Sequence, residues 1–137
     1  MSEPLSSCDI EIRVRYAEVD QMGALHHSRH WVYFEMGRTE LLRRQGLTYR
    51  ECEQAGVFLV VVRGAIRYHA PARYDDVLVL TTHLARMGQV KIDHTYELRR
   101  KPDGALLATG ETTLGSVDRD GRLTQIPEML RRPSEGR

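Results

Sequence analysis

The sequence predicts an α+β domain, one long helix laid across an antiparallel sheet, and three observations lead there. A helical pattern runs from Ser28 to about Gln45, with Phe34, Gly37 and Leu41 on one face and Trp31 and Leu42 beside it. Strand alternation comes before it, where Ile10, Ile12, Val14 and Tyr16 interleave with Glu11, Arg13 and Arg15. After it come several long strand-type stretches separated by turn signals, so the strands outnumber the helices and one helix must cover one face of a sheet. The other face is then solvated or covered by a second subunit.

The first strand is expected to run from Ile10 to Tyr16 and the loop from Asp20 to His27. Gly37 lowers helix propensity, but on a packed face it lets the long helix lie close to the sheet. Gly46 suits the position just past the helix end. Thr48-Tyr49-Arg50-Glu51 is a capping box that opens a short second helix, and Gly56 ends it. Val57 to His69 is β-rich with a break near Gly64, and Pro71 to Asp75 is a turn. Val77 to Arg86 is a long strand, punctuated by Gly88. The cleanest alternation follows: Val90, Ile92, His94, Tyr96 and Leu98 against Lys91, Asp93, Thr95, Glu97 and Arg99. Pro102-Asp103-Gly104 is a strong turn. Leu106 to Val117 is the last long strand, Asp118 to Gly121 a turn, and Ile126 to Leu130 a short final helix. A single domain is expected over 1–137, with its core over about 10–127 and frayed ends.

The 137 residues suffice to bury a core without disulfides or metals. A formal net charge of +1 marks no nucleic-acid binder. Cys8, expected in the tail, and Cys52, expected in the second helix, form neither a zinc spacing nor a disulfide framework. No apolar run approaches the length of a membrane span, and the first nine residues lack the layout of a signal peptide. A cytoplasmic location without membrane contact is expected.

The chemistry gathers between the first strand and the long helix. Asp20 sits there, and Gly23 frees the backbone to turn just after it. A carboxylate so placed can act as general base toward water or attack an acyl carbon; the commoner reading of a loop aspartate is an Asx turn. Glu18 is a second acid/base group or, more simply, a solvated strand charge. His27 stands at the expected helix start, where its N–H or that of Ser28 can polarise a carbonyl. His26, His27 and His30 lack a third-ligand motif such as H-E-x-x-H, so no metal is expected. Glu35 and Arg38, at i and i+3, form either an ordinary ion pair, the reading that suits Arg38, or a polar pair near the site. Arg63, Arg67, Arg73 and the run Arg99-Arg100-Lys101 can hold phosphates or serve as solvated edge charges. Cys52 has no neighbouring base in sequence and suits a small apolar filler.

The stretch from Tyr16 to Gly23, then His27, Phe34-Glu35 and Arg38-Thr39-Glu40, resembles hotdog-fold acyl-CoA thioesterases of the 4-hydroxybenzoyl-CoA thioesterase-like family. Pro71 to Asp76 resembles the same family's P-A-x-Y-D-D turn. The resemblance implies an antiparallel sheet wrapped around one long helix, in homodimers or homotetramers with active sites between subunits. It places Asp20 as general base or nucleophile on an acyl-CoA thioester. It sets backbone N–H groups near His27 on the thioester oxygen, with His27 also orienting water or substrate. Gly23, Ser28, His30 and Glu35 are the further candidates for substrate contact; no CoA-binding residue is identified and no cofactor is implied. Val19 stands where the family carries Thr, and Arg29-His30 where it carries a small polar residue and Tyr. The alternatives are a non-catalytic acyl-thioester binding module and a thioesterase acting on acyl carrier protein.

Overall fold

The computed structural model describes residues 6–131, so the expectation of frayed ends concerns residues outside the described ones at 1–5 and 132–137. Strand β1 (Ser7–Arg13) leads through a 3-10 turn (Tyr16–Glu18) to helix α1 (His27–Arg44) and a short helix α2 (Tyr49–Gln54). Strands β2 (Phe58–Tyr68), β3 (Val77–Met87), β4 (Lys91–Arg100) and β5 (Leu106–Val117) follow, and α3 (Glu128–Arg131) is last. The five strands form one sheet in the order β1-β3-β4-β5-β2, antiparallel throughout. Helix α1 lies across its inner face, which is the hotdog arrangement that the resemblance implies.

The apolar stripe of α1 makes the core. Phe34 is fully buried and stacks on Tyr96 with ring centroids 4.1 Å apart. One turn on, Gly37 faces β3, where an added Cβ would overlap Thr82 Oγ1 and Leu80 Cδ2. The missing side chain is what seats the helix there. Gly110 on β5 plays the matching part, since a Cβ at that position would run into the Phe34 ring. A second apolar cluster, with Leu42, Leu47, Cys52, Ile92, Leu114 and Ile126, closes the far end under α2 and α3. Burial pushes the Cys52 thiol up, and Glu51 and Glu53 add to the shift, so it is an inert filler at neutral pH. Thr48 caps α2 through the Glu51 N–H, as its capping box predicts.

Two strand expectations are corrected. Strand β1 begins at Ser7, so Cys8 is a buried strand residue pairing with Thr82, not part of a tail. The same strand stops at Arg13, and Tyr16 is 78% exposed in the 3-10 turn. The reason is local: the Glu18 carboxylate accepts the Arg15 N–H at 2.8 Å and curls the chain. Val14 meanwhile pairs with the turn before β3, donating to Asp76 O and accepting from Asp75 N–H. The expected break near Gly64 is a bulge between Val61 and Arg63 in an otherwise continuous β2.

The inner face of β4 follows the alternation read from sequence, with Ile92, His94, Tyr96 and Leu98 all buried. His94 is the costly member. Its Nδ1 has no hydrogen-bond partner, and burial, helped by the Arg38 charge and opposed by Asp93, lowers its pKa from 6.5 to about 4. An unfolded chain binds a proton here below pH 6.5, while the folded one resists until about pH 4. Stability is therefore fully present above pH 6.5 and falls as pH drops through that window, by about 3 kcal/mol at most. His94→Gln should flatten the pH dependence of the urea midpoint between pH 6.5 and 4 relative to the parent. A residual slope is expected from His30, which burial also keeps below the usual histidine range.

Candidate active site

Asp20 sits at the turn of a small hairpin closed by the Val19–Leu25 bridge. Its Oδ1 accepts the N–H groups of Met22 at 2.8 Å and Ala24 at 3.1 Å. The Asx turn expected of a loop aspartate is therefore present, and it uses one carboxylate oxygen. Oδ2 accepts nothing from the described residues, and the side chain is exposed. Gly23 adopts φ +80°, the left-handed conformation for which its lack of a Cβ suits it.

The hairpin is held from two sides. Glu18, expected as a solvated strand charge, is only 3% exposed. Its carboxylate accepts from the Arg15 backbone, from the Arg15 guanidinium at 3.2 Å and from the Tyr33 hydroxyl of α1 at 2.8 Å. Burial alone would raise its pKa, but these donors outweigh burial and hold it below the usual glutamate range. Burial, with the same Glu18 contact, pushes the Tyr33 phenol up, so it stays a donor. From the other flank, Arg73 donates to Met22 O at 3.2 Å and pairs through its backbone with Ala24. Leu25 N–H donates to Ala72 O. The Pro71–Asp76 turn is thus the rest on which the Asp20 hairpin lies, and Asp75 in that turn takes a left-handed φ of 70°. Sequence spacing did not indicate this bracing.

The hairpin runs directly into α1. His26 is the N-cap: its Nδ1 accepts the Ser28 N–H at 3.2 Å, and its ring stacks on His27. The Ser28 N–H is therefore already satisfied, which corrects the expectation that it is free for a carbonyl. The His27 N–H makes no hydrogen bond to the described residues and stands at the positive end of an 18-residue helix. His27 and His30 face one cleft of about 360 Å³, with Leu25, Tyr68, His69, Ala70 and Pro71 as its other walls. Tyr68, the last residue of β2, and His69, just after it, were absent from the sequence candidates.

Glu35 is not brought to this cleft. It lies eight residues, about 12 Å, along α1 from His27 on the exposed surface. Nor does it pair with Arg38, which turns inward, is buried and donates to Tyr96 Oη at 3.5 Å. Helical phase explains both: Arg38 lies four residues from the buried Phe34 and Leu42, within the inner stripe, whereas Glu35 falls just outside that stripe. The basic run is largely neutralised, since Arg99 meets Glu97, Arg100 meets Asp76 and Asp103, and Lys101 meets Glu11 at 2.6 Å. Among the described residues no group of three or more His, Cys, Asp or Glu side chains could hold a metal. No helix among them is long and apolar enough to cross a membrane.

A long helix wrapped by an antiparallel sheet, with an aspartate hairpin delivered to the helix start, defines the hotdog thioesterase class. A family model for the thioesterase-like superfamily matches residues 14–133, and the chain belongs to that superfamily. It is 34% identical over 110 residues to the putative acyl-CoA thioesterase YneP of Bacillus subtilis, covering 80% of this chain and 79% of that one. It is 29% identical over 107 residues to the acyl-CoA thioester hydrolase YbgC of Escherichia coli, covering 78% and 79% of the two chains. The crystal structure of a hypothetical protein from Thermus thermophilus superposes with a TM-score of 0.83 at 39% identity, covering 90% of this chain and 92% of that one.

Proposed function

We propose that this chain hydrolyses acyl-CoA thioesters to the free acid and CoA, acting as a single-domain cytoplasmic enzyme. Membership of the thioesterase-like superfamily and relatives named as acyl-CoA thioesterases make it a thioester hydrolase. The observation that carries the mechanism is the division of labour at Asp20. One oxygen is clamped by two backbone N–H groups, and the other is left open on a braced hairpin. Asp20 Oδ2 takes a proton from water as the water oxygen bonds to the thioester carbon and passes it to the departing sulfur, or attacks that carbon itself to give a mixed anhydride that water then hydrolyses to the free acid. The carbonyl oxygen gathers negative charge toward the His27 N–H and the helix dipole. The C–S bond then breaks, and the thiolate leaves with its electron pair and is protonated.

The active unit is a homodimer, joined along β2. That strand is one of the two edges of the sheet, and Val60, Val61 and Val62 stand exposed on it. Trp31, over Gly64, with Val32 and Met36 on α1 extends the apolar surface. An uncovered apolar edge of this kind invites strand pairing. Tyr68 at the end of β2 lines the cleft, so a partner seated on β2 would complete a site between subunits. The unpaired, buried Cys8 and Cys52 suit a reducing compartment.

Purified protein should release CoA thiol from a panel of short-chain, long-chain and aromatic acyl-CoA esters, read with a thiol reagent. Calorimetric binding without thiol release across the panel would instead make the chain an acyl-thioester binding module.

A further inference from the structure

Arg38 puts a cation into the core and is 8% exposed. Its Nη1 donates to Tyr96 Oη at 3.5 Å, a long contact, and that hydroxyl is already bonded to Thr112 Oγ1 at 2.6 Å. A guanidinium has five N–H donors, and among the described residues no carboxylate pairs with this one. A buried charge without a partner is costly, because water is lost and nothing replaces it.

A cavity of about 20 Å³ lies beside it, walled by Arg38, Tyr49 and His94 and by the carbon surface of Leu41, Leu84 and Ile92. Burial pushes the Tyr49 phenol up and the Arg38 charge opposes the shift; burial and the same charge lower the His94 imidazole. Two rings of the wall, one on α2 and one on β4, thus feel the guanidinium, which places its charge at the cavity. The Tyr49 phenol stays protonated, and His94 Nδ1 is buried with no hydrogen-bond partner. No Asp or Glu is among the described walls. The cavity therefore has a full positive charge, polar groups to spare and no negative group.

We propose that this cavity is an anion site, in which one monatomic halide, chloride or bromide, sits against the Arg38 guanidinium and supplies the counter-charge that the chain does not. Volume sets the class of ligand. About 10–15 Å³ suffices for a water-sized occupant, so a halide fits and a phosphate does not. A water fits too, but leaves the charge unmatched. The site is separate from the reaction cleft, since Arg38 lies eleven residues, about 16 Å, along α1 from His27.

Thermal midpoints are read in sodium bromide, sodium chloride and sodium gluconate at equal ionic strength, on the parent, Arg38→Met and Arg38→Lys. The parent should gain about 3–6 °C in either halide over gluconate at tenfold the half-saturating concentration, and the gain should saturate. Arg38→Met keeps the stem without the charge and should lose the gain; Arg38→Lys should keep part of it. Parent crystals soaked in bromide should show an anomalous peak against the Arg38 guanidinium, a measurement that stands even where Arg38→Met does not fold. A water alone at that place in the soaked crystals, or the same halide gain in the parent and a folded Arg38→Met, overturns the proposal.

Discussion

Asp20→Asn is expected to lower kcat for acyl-CoA hydrolysis by about 10²- to 10⁴-fold, the range usual for a lost general base. The substitution is informative because of how the two carboxylate oxygens are used. The Asn amide oxygen can still accept the Met22 and Ala24 N–H groups, so the hairpin is kept. The amide nitrogen replaces the open Oδ2, and it can neither take a proton from water nor attack a carbonyl. Binding of a ketone analogue and the thermal midpoint should therefore stay near the parent's while turnover collapses. Asp20→Ala is a poorer probe, since it also strands two N–H donors. Wild-type turnover by Asp20→Asn would remove Asp20 from the chemistry.

Phe34→Ala is expected to cost about 3–5 kcal/mol of folding stability, a large share of the roughly 5–15 kcal/mol typical of a domain. The ring is fully buried between helix and sheet, stacked on Tyr96 and met edge-on by Trp31. It also fills the space that Gly110 leaves by having no side chain. That relation gives a second, sharper measurement. Gly110→Ala alone should destabilise, because its methyl enters the Phe34 ring. Made in the Phe34→Ala background it should cost less, since the methyl then enters a cavity. Urea denaturation of the four proteins of this cycle reads both effects, and simple additivity would show that ring and glycine do not share the space.

Much of the scaffold was legible from periodicity. Alternation placed β3, β4 and β5 to within one residue at each end, and the 3.6-residue stripe placed α1. Gly37 was read as a close-approach residue, and the sheet atoms that would meet its Cβ agree. Such signals are local, because each residue's face follows from its own position in a helix or strand. The placement of Asp20, Gly23 and His27 between the first strand and the start of the long helix was also legible along the chain. What failed was whatever depends on a partner distant in sequence. Glu18 looks like a solvated charge until Tyr33, 15 residues away, donates to it. Arg38 looks like half of a helix ion pair until Tyr96 appears beside it, 58 residues away.

By itself the sequence determined the α+β class, the order of the elements and the aspartate-bearing loop ahead of the long helix. Hydrophobic period and turn chemistry are written in consecutive residues. Only the tertiary structure decided that the Pro71–Asp76 turn braces that hairpin. It also decided that His30 turns a buried ring toward a cleft walled by β2, and that Glu35 stays on the outer surface. The physical reason is the same in each case. A side chain's protonation, donors and exposure are set by the groups packed around it, and those groups arrive from parts of the chain that spacing does not connect.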